Sequence, residues 1–298
     1  MMHTLIALLR PRTLPLAIAV ICLGNALAYA QGDWQANIFI FSLLTALSLQ
    51  MLSNVANDYG DGIRGTDNYR DSSSPTRLTG SGAVSLSSMR LYIAALVLLS
   101  IALGGYLISI SVKGQGQILL FTALGALSIA AAIFYTVGRY AYGYAGLGEA
   151  AVFLFFGIIG VLGSYALQQE HIRLIQLLPA AAIGLLCAAV LNVNNLRDID
   201  SDKQAGKFTL AVRLGFYRAK QFHALLLIGA CLLLLIFSLC TDWKSALWLL
   251  LFPALRQHGK RVLQTQTPRL IAVELKSIVG LCLGISLLLS IGILFSNL

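Results

Sequence analysis

Most of the acidic side chains of this chain lie in two short segments. The first reads Asn57-Asp58-Tyr59-Gly60-Asp61 and continues to Asp67, and the second runs from Asn194 to Asp202. With Asp71, these two neighbourhoods hold seven of the twelve acidic residues. Each segment follows a long apolar run, where carboxylates are costly unless a cation compensates them. We therefore predict a divalent-metal site built to hold a diphosphate.

Helical spacing predicts which side chains of the first segment act together. If the apolar run before it continues as a helix to about Asp61, then Asn54, Asp58 and Asp61 share one face. Asn57 lies one turn before Asp61, near that face. Several glycines follow, so Asp67 is expected to return to the site through a loop.

The second segment shows the same kind of spacing. Asn194, Asp198 and Asp202 are four residues apart, and Asn195 precedes Asp198 by three. Asp200 points about 200° away from Asp198 at ~100° per residue, so it is left out of the ligand set. The predicted metal ligands are Asp58, Asp61, Asn195, Asp198 and Asp202.

The donor types favour magnesium. Carboxylate and amide oxygens suit Mg²⁺, which completes its shell with water and phosphate oxygens. Basic side chains beside the acids can bind the diphosphate, with Asn54, Asn57 and Asn194 as further contacts. Those basic residues are Arg64, Arg77, Lys203 and Lys207. The alternative is that the Asp and Asn residues only cap helix ends. The cysteines and histidines are scattered, which disfavours a site made from them.

The remaining composition indicates a membrane protein. Apolar residues make up 58% of the 298 and charged residues 11%, against about 25% charged in soluble domains. We predict an all-α, polytopic bundle of about nine transmembrane helices. The apolar runs lie at about residues 13–30, 37–56, 91–112, 118–135, 147–167, 174–191, 222–240, 245–255 and 273–295.

The distribution of basic residues predicts the orientation. With the N-terminus in the cytoplasm, only Lys113, Arg173 and Lys244 of the 21 Lys and Arg lie outside, which leaves 18 inside. This asymmetry follows the positive-inside rule and places both acidic segments on the cytoplasmic side. The net charge of +9 is thus explained by orientation and lipid attraction, with no nucleic-acid partner. The short run 245–255 is interpreted as a crossing, because otherwise four basic residues would lie outside.

The chain is interpreted as one intramembrane domain, 1–298. The acidic segments lie about 140 residues apart and each follows an even-numbered run. This suggests two weakly similar four-helix halves, about 13–135 and 147–255, with a ninth helix at 273–295. Membrane proteins often place a site between such repeats.

The two acidic segments resemble the paired aspartate motifs of the UbiA superfamily of intramembrane aromatic prenyltransferases. The second match extends through Gly206, Lys207 and Thr209 to Arg213-Leu214-Gly215. Further matches are Arg10-Pro11-x-Thr13-Leu14-Pro15, Tyr135-Thr136-Val137-Gly138-Arg139 and Tyr142-Gly143-Tyr144-x-Gly146-Leu147-Gly148-Glu149. Ser74-Pro75-Thr76-Arg77 departs from the expected Gly-Pro-x-Arg. The details resemble the branch that acts on 1,4-dihydroxy-2-naphthoate.

The resemblance implies that a long polyprenyl diphosphate and 1,4-dihydroxy-2-naphthoate are joined with loss of CO₂ and diphosphate, giving demethylmenaquinone in menaquinone synthesis. It implies that the helices surround a central cavity, with Mg²⁺ as cofactor and the bacterial cytoplasmic (inner) membrane as location. Asp67 is expected to orient or deprotonate the acceptor, and Tyr135 to face the allylic cation. Arg139 and Lys207 are expected to stabilise the leaving group.

Simpler roles stay open for several of these residues. Tyr135 fits an interfacial anchor, Arg139 an orientation determinant, and Glu149 either the start of a helix or an acceptor contact. Arg10 and Arg12 are interpreted as orientation determinants rather than ligands.

Other functions remain as alternatives. A transporter would explain polar residues in a membrane protein, but its site would lie on broken helices near the midplane. A CDP-alcohol phosphotransferase would carry its aspartates in one continuous run. Within the prenyltransferases, 4-hydroxybenzoate is the alternative acceptor.

Overall fold

The computed structural model describes residues 10–32, 34–69 and 84–296, apart from the side chains of Asp67 and Asn68. Every regular element in those ranges is helical. The α-helices, numbered in chain order, are α1 (Leu14–Tyr29), α2 (Ala36–Ile63), α3 (Leu86–Ser111), α4 (Gln115–Phe134), α5 (Gly148–Ala166), α6 (Leu177–Arg197), α7 (Ile199–Gln204), α8 (Leu210–Leu214), α9 (Phe216–Cys240), α10 (Phe252–Gln264) and α11 (Ala272–Leu294).

The helices confirm the prediction of an all-α membrane bundle. Each of the nine predicted apolar runs overlaps a helical segment, and seven of these segments are long and apolar enough to cross a membrane. The first, α1, has 16 residues and is shorter than the other apolar helices. The run 245–255 falls in a 3₁₀ segment, Trp243–Leu251, and the start of α10. The total of nine crossings therefore stays a prediction.

Helices extend beyond several of the predicted apolar runs. Helix α2 continues past the run 37–56 to Ile63, in agreement with a helix that reaches about Asp61, and the chain after the run 174–191 continues through the end of α6 into α7 and α8. The chain after the run 245–255 continues in α10 to Gln264. The predicted ends were placed where apolar residues stop, but the polar turns beyond them are covered by other helices and so remain helical.

Helix α6 lies at the centre of the bundle. It packs against α5, α9 and α11, and most of its residues are buried. By contrast, no residue of α4 is buried, and few of α3 are. The acidic turn at the end of α6 is therefore held by a helix that is buried over most of its length.

Helix α5 contains a feature that the sequence does not predict. Its first turn, Gly148–Val152, is α-helical, and residues Phe153–Leu162 then form a π-helix before α-helix resumes. The π-helix is rare and is found mostly as single-turn bulges, often at functional sites. Ten consecutive residues of it here change which side chains α5 presents to its neighbours.

Two glycines shape the end of α2. At Gly60 a Cβ would lie 2.5 Å from Thr136 Oγ1, so only glycine lets α2 approach the chain after α4 this closely. At Gly65 the backbone has φ of +69°, a left-handed conformation that glycine adopts without strain. Gly65 ends the helical path, and the chain turns into a short 3₁₀ helix, Thr66–Tyr69, which carries Asp67.

Candidate functional site

A cavity of about 370 Å³ is lined by residues of the first six helices, α1 to α6, and by Leu275 of α11. Polar residues gather at the end where the acidic segments lie, which we call the acidic end. These residues are Arg10, Thr13, Asn54, Asn57, Tyr135 and Asn194. Most of the remaining wall is apolar, with Phe155, Phe156 and Ile159 among its residues. The cavity thus offers a polar head and an apolar body.

The first acidic segment lies at the end of α2, with both aspartates buried. Asp58 is 3% exposed and Asp61 is 1% exposed. Arg10, which precedes α1, donates a hydrogen bond to Asp58 Oδ1. On the same helix Asn54 Nδ2 donates to Thr13 Oγ1 at 3.1 Å. The start of α1 is therefore attached to the acidic face of α2.

Asn57 has its own partner from another part of the chain. Thr136 Oγ1 donates to Ala56 O at 3.0 Å and lies 3.3 Å from Asn57 Oδ1. The segment after α4 thereby fixes the last turns of α2.

The second acidic segment lies at the junction of α6 and α7. Arg197 Nε and Nη2 donate to the two oxygens of Asp198 at 2.7 and 2.6 Å, and Nη2 also donates to Asn194 Oδ1 at 2.9 Å. The side chains of Arg197 and Asp198 are 4% and 2% exposed. A buried carboxylate bound in this way by a guanidinium fork has a fixed orientation.

The two segments meet at Lys207. Its Nζ lies 3.5 Å from Asp61 Oδ1 and 3.8 Å from Asp202 Oδ1, and all three side chains are buried. The main chain supports this placement, because Lys207 N donates to Asp202 O at 2.8 Å. Two carboxylates from opposite parts of the sequence thus face each other across one cation.

Tyr144 completes this cluster from the segment between α4 and α5. Its hydroxyl donates to Asp61 Oδ1 at 2.9 Å and lies 2.8 Å from Thr66 Oγ1. The guanidinium of Arg64 lies 4.2 Å from the centre of its ring. Burial, and then the Asp61 carboxylate, raise the pKa of Tyr144, so the phenol keeps its proton and donates to the carboxylate.

Comparison with known proteins places this chain among prenyltransferases. The model of the UbiA prenyltransferase family matches residues 17–275. The chain belongs to the UbiA prenyltransferase family. It is similar to 1,4-dihydroxy-2-naphthoate octaprenyltransferase of Haemophilus influenzae, at 42% identity over 96% of this chain and 94% of that protein. The Escherichia coli protein of the same name is 43% identical over 97% of this chain and 94% of its own length.

A solved structure shows the same fold. The UbiA homologue from Archaeoglobus fulgidus, bound to GPP and Mg²⁺, superposes with a TM-score of 0.63. The match covers 96% of this chain and 99% of that one, at 16% identity. At this identity the likeness concerns the helical architecture only.

The four buried aspartates of the two segments each face a basic side chain. Among the described residues, no group of three or more His, Cys, Asp or Glu side chains is arranged to hold one ion. Asp58 and Asp198 each face an arginine, while Asp61 and Asp202 face Lys207. Lys207 brings Asp61 and Asp202 to one place, and the set of five metal ligands stays a prediction.

Asn195 and Glu149 form a pair of their own. Asn195 Nδ2 donates to Glu149 Oε1 at 3.0 Å, and both side chains are 3% exposed. The pair joins the start of α5 to α6, and neither residue is among those that line the cavity. The structure thus places the predicted metal ligand Asn195 and the predicted substrate contact Glu149 in a helix–helix contact.

Two other predicted residues, Arg139 and Lys203, are exposed, and two more lie outside the described part of the chain. Arg139 is exposed, with its guanidinium 5.6 Å from the centre of the Tyr140 ring. Lys203 is exposed in a separate polar cleft that it shares with Asp200 and Arg269. Arg77 and the side chain of Asp67 lie outside the described residues.

Sequence reasoning gave too little weight to Arg10, Arg197 and Tyr144. The two arginines were counted as orientation charges, although Arg10 belongs to a family motif and Arg197 directly precedes Asp198. The Asp198 contact could have been foreseen from this adjacency. The contact between Arg10 and Asp58 joins residues 48 apart and needs the tertiary structure.

Proposed function

We propose that this chain transfers the polyprenyl group of a polyprenyl diphosphate to 1,4-dihydroxy-2-naphthoate, with release of CO₂ and diphosphate, giving demethylmenaquinone. The observation that carries the proposal is the meeting of Asp61 and Asp202 at Lys207, beside the polar end of an apolar cavity. A diphosphate needs such a charged end, and a polyprenyl chain needs the apolar wall. The acceptor rests on the two bacterial relatives that bear its name.

Cationic donors surround the place proposed for the diphosphate. Lys207 lies between the two carboxylates, Arg10 lines the cavity, and Arg64 stacks on Tyr144. Each can donate hydrogen bonds to phosphate oxygens. Donors already oriented at the site stabilise the charge that develops when the allylic C–O bond breaks.

Mg²⁺ is proposed as the cofactor, held by Asp61 and Asp202 with Asp58 and Asp198 close by. The donor chemistry fits, because Mg²⁺ takes one or two carboxylates and completes its shell with water and phosphate oxygens. The contacts of the Lys207 ammonium with Asp61 and Asp202 support the proposal, because they indicate that these carboxylates favour a positive charge beside them. When bound, the ion would supply charge neutralisation of the leaving diphosphate.

The cavity wall protects the reacting carbon. The rings of Tyr135 and Tyr142 lie edge to face with centroids 5.3 Å apart, and both residues line the cavity. An aromatic face attracts a cation, and the apolar wall beyond keeps water from capturing it. Asp67, which the resemblance assigns to the acceptor, follows the Gly65 turn in the chain.

A direct assay tests the proposal. Purified protein is given labelled polyprenyl diphosphate, Mg²⁺ and a panel of aromatic acids. We expect prenylation of 1,4-dihydroxy-2-naphthoate, with its carboxyl carbon recovered as CO₂, and little use of 4-hydroxybenzoate. Efficient use of 4-hydroxybenzoate without activity on the naphthoate would refute the acceptor assignment but leave the diphosphate site standing.

The orientation in the membrane is part of the proposal. The charge asymmetry supports a bacterial inner-membrane protein with its N-terminus and acidic end in the cytoplasm. Single cysteines placed at 203–218 should react with impermeant reagents only from the cytoplasmic side. Labelling of these positions from the outside would reverse the orientation.

A further inference from the structure

Two glycines of the cavity wall face open space. At Gly125 in α4 and Gly163 in α5, an added Cβ would meet no heavy atom within 4 Å. Other glycines have a packing reason, since a Cβ at Gly157 would lie 2.6 Å from Gly184 Cα, and one at Gly24 would collide with Ser164. Close helix packing thus explains Gly24 and Gly157 but does not explain Gly125 and Gly163.

The π-helix keeps Gly163 on the cavity wall. Every fourth residue of this part of the chain lines the cavity, namely Ala151, Phe155, Ile159, Gly163 and Leu167. In an α-helix four residues advance about 400°, so this row would drift by about 40° at each step. The wider turn of the π-helix at Phe153–Leu162 reduces the drift. One side of α5 can therefore follow the cavity along its whole length.

Gly163 lies far from the acidic end. The helix begins at Gly148, where an added Cβ would lie 3.1 Å from the Tyr135 hydroxyl at the polar end of the cavity. Fifteen residues separate Gly148 from Gly163, a distance of about 22 Å at 1.5 Å per residue and somewhat less through the π-helix. Gly125 is nearer, ten residues or about 15 Å along α4 from Tyr135.

We infer that Gly163, with Gly125 before it, determines the length of prenyl chain that the cavity accepts. The inference rests on the proposed function, which fixes the diphosphate at Lys207 and leaves the chain to extend along α5. Because the diphosphate is anchored at the acidic end, a longer prenyl chain extends further into the cavity. A side chain at 163 would therefore contact only donors long enough to reach it. Glycine at both positions keeps the deep part of the cavity open to long donors.

The test compares a short and a long donor, geranyl diphosphate and octaprenyl diphosphate, with 1,4-dihydroxy-2-naphthoate as acceptor. In Gly163→Leu, the ratio of kcat/KM for the octaprenyl donor to that for the geranyl donor should fall at least about tenfold, as expected when bulk blocks an apolar subsite. Gly105→Leu is the matched control. A Cβ at Gly105 would also face open space, but Gly105 is exposed on α3 and is not among the residues that line the cavity. The ratio should therefore stay at the wild-type value in this variant.

Two results would contradict the inference. The first is an unchanged ratio in Gly163→Leu, which means that the chain leaves the cavity before residue 163. The second is an equal loss of activity with both donors in folded protein. If Gly163→Leu does not fold, Gly125→Leu replaces it, because no residue of α4 is buried and a leucine there should lower the same ratio. A wild-type protein inactive with both donors would instead overturn the proposed function.

Discussion

The two acidic segments solve the same electrostatic problem in different ways. In each, one aspartate faces an arginine and the other faces Lys207: Asp58 pairs with Arg10, and Asp198 with Arg197. In the second segment the arginine is the preceding residue, and the pair is almost fully buried. In the first segment the arginine comes from another part of the chain, and its side chain is 25% exposed.

We call the second segment, with Arg197 and Asp198, the preformed half. The first segment, with Arg10 and Asp58, is the assembled half. The fork of Arg197 forms within the junction of α6 and α7, whereas the contact of Arg10 forms only when α1 is packed on α2. A partly exposed ion pair contributes little to stability, while removing one partner of a buried pair is costly. The comparison therefore predicts unequal effects from equivalent substitutions.

The largest loss is expected where the two segments meet. Asp61→Asn and Asp202→Asn each remove one of the carboxylates that face Lys207. Each should lower kcat/KM at least about 100-fold, because preorganised charge is the main means of stabilising the departing diphosphate. Steady-state assays with saturating naphthoate measure this. If one variant kept wild-type activity, the two segments would not serve one site.

The next effect distinguishes the two arginines. Arg197→Ala should reduce the free energy of unfolding by about 3–5 kcal/mol, since it leaves a buried carboxylate without its fork. Arg10→Ala should cost less, because the Arg10 side chain is 25% exposed and water can replace it beside Asp58. Equilibrium unfolding in detergent, followed by circular dichroism, gives both values. Equal losses would remove the distinction between a preformed and an assembled half.

A smaller effect is expected at Tyr144. Tyr144→Phe keeps the ring under Arg64 but removes the hydrogen bond to Asp61, so kcat/KM should fall about tenfold, in proportion to one charge-assisted hydrogen bond. Tyr140→Phe is the control, because Tyr140 is 85% exposed. A larger effect in the control would show that Tyr144 is not specific to the site.

The smallest effect is expected at Asp200. This residue lies between Asp198 and Asp202 in sequence, yet it is exposed while they are buried. Asp200→Asn should change kcat/KM less than about twofold, as is usual for surface positions. A loss as large as that of Asp202→Asn would mean that the helical register of the second segment does not decide function.

The sequence alone predicts which side chains of each acidic segment share a helix face, but not which residues they contact. Spacing of three and four separates the buried Asp58, Asp61, Asp198 and Asp202 from Asp200, because helical geometry is local. Three hydrogen bonds of the site join residues that are distant in sequence, so no periodicity predicts them. They are Arg10 to Asp58, Tyr144 to Asp61 and Asn195 to Glu149. The π-helix is hidden for another reason, since its ten residues are almost all apolar and show no face.

The apolar runs end before the helices do for a related reason. Apolar composition marks the part of a helix that crosses the membrane, while the acidic ends of α2 and α6 are polar and buried by other helices. Their helical state depends on tertiary contacts such as that of Thr136 with Ala56. The residues of the acidic end could thus be predicted from the sequence, but the tertiary contacts that keep its turns helical could not.

The central claim is that both acidic segments hold one diphosphate together with Mg²⁺. Its most direct test is the affinity of a non-reactive prenyl thiodiphosphate, measured by calorimetry with and without Mg²⁺, in the wild type, Asp61→Asn, Asp202→Asn and the double variant. We expect Mg²⁺ to strengthen binding to the wild type at least about tenfold, and each single substitution to remove that gain. The double variant should then bind no more weakly than either single variant. Losses that add independently, or wild-type binding that is indifferent to Mg²⁺, would contradict the account.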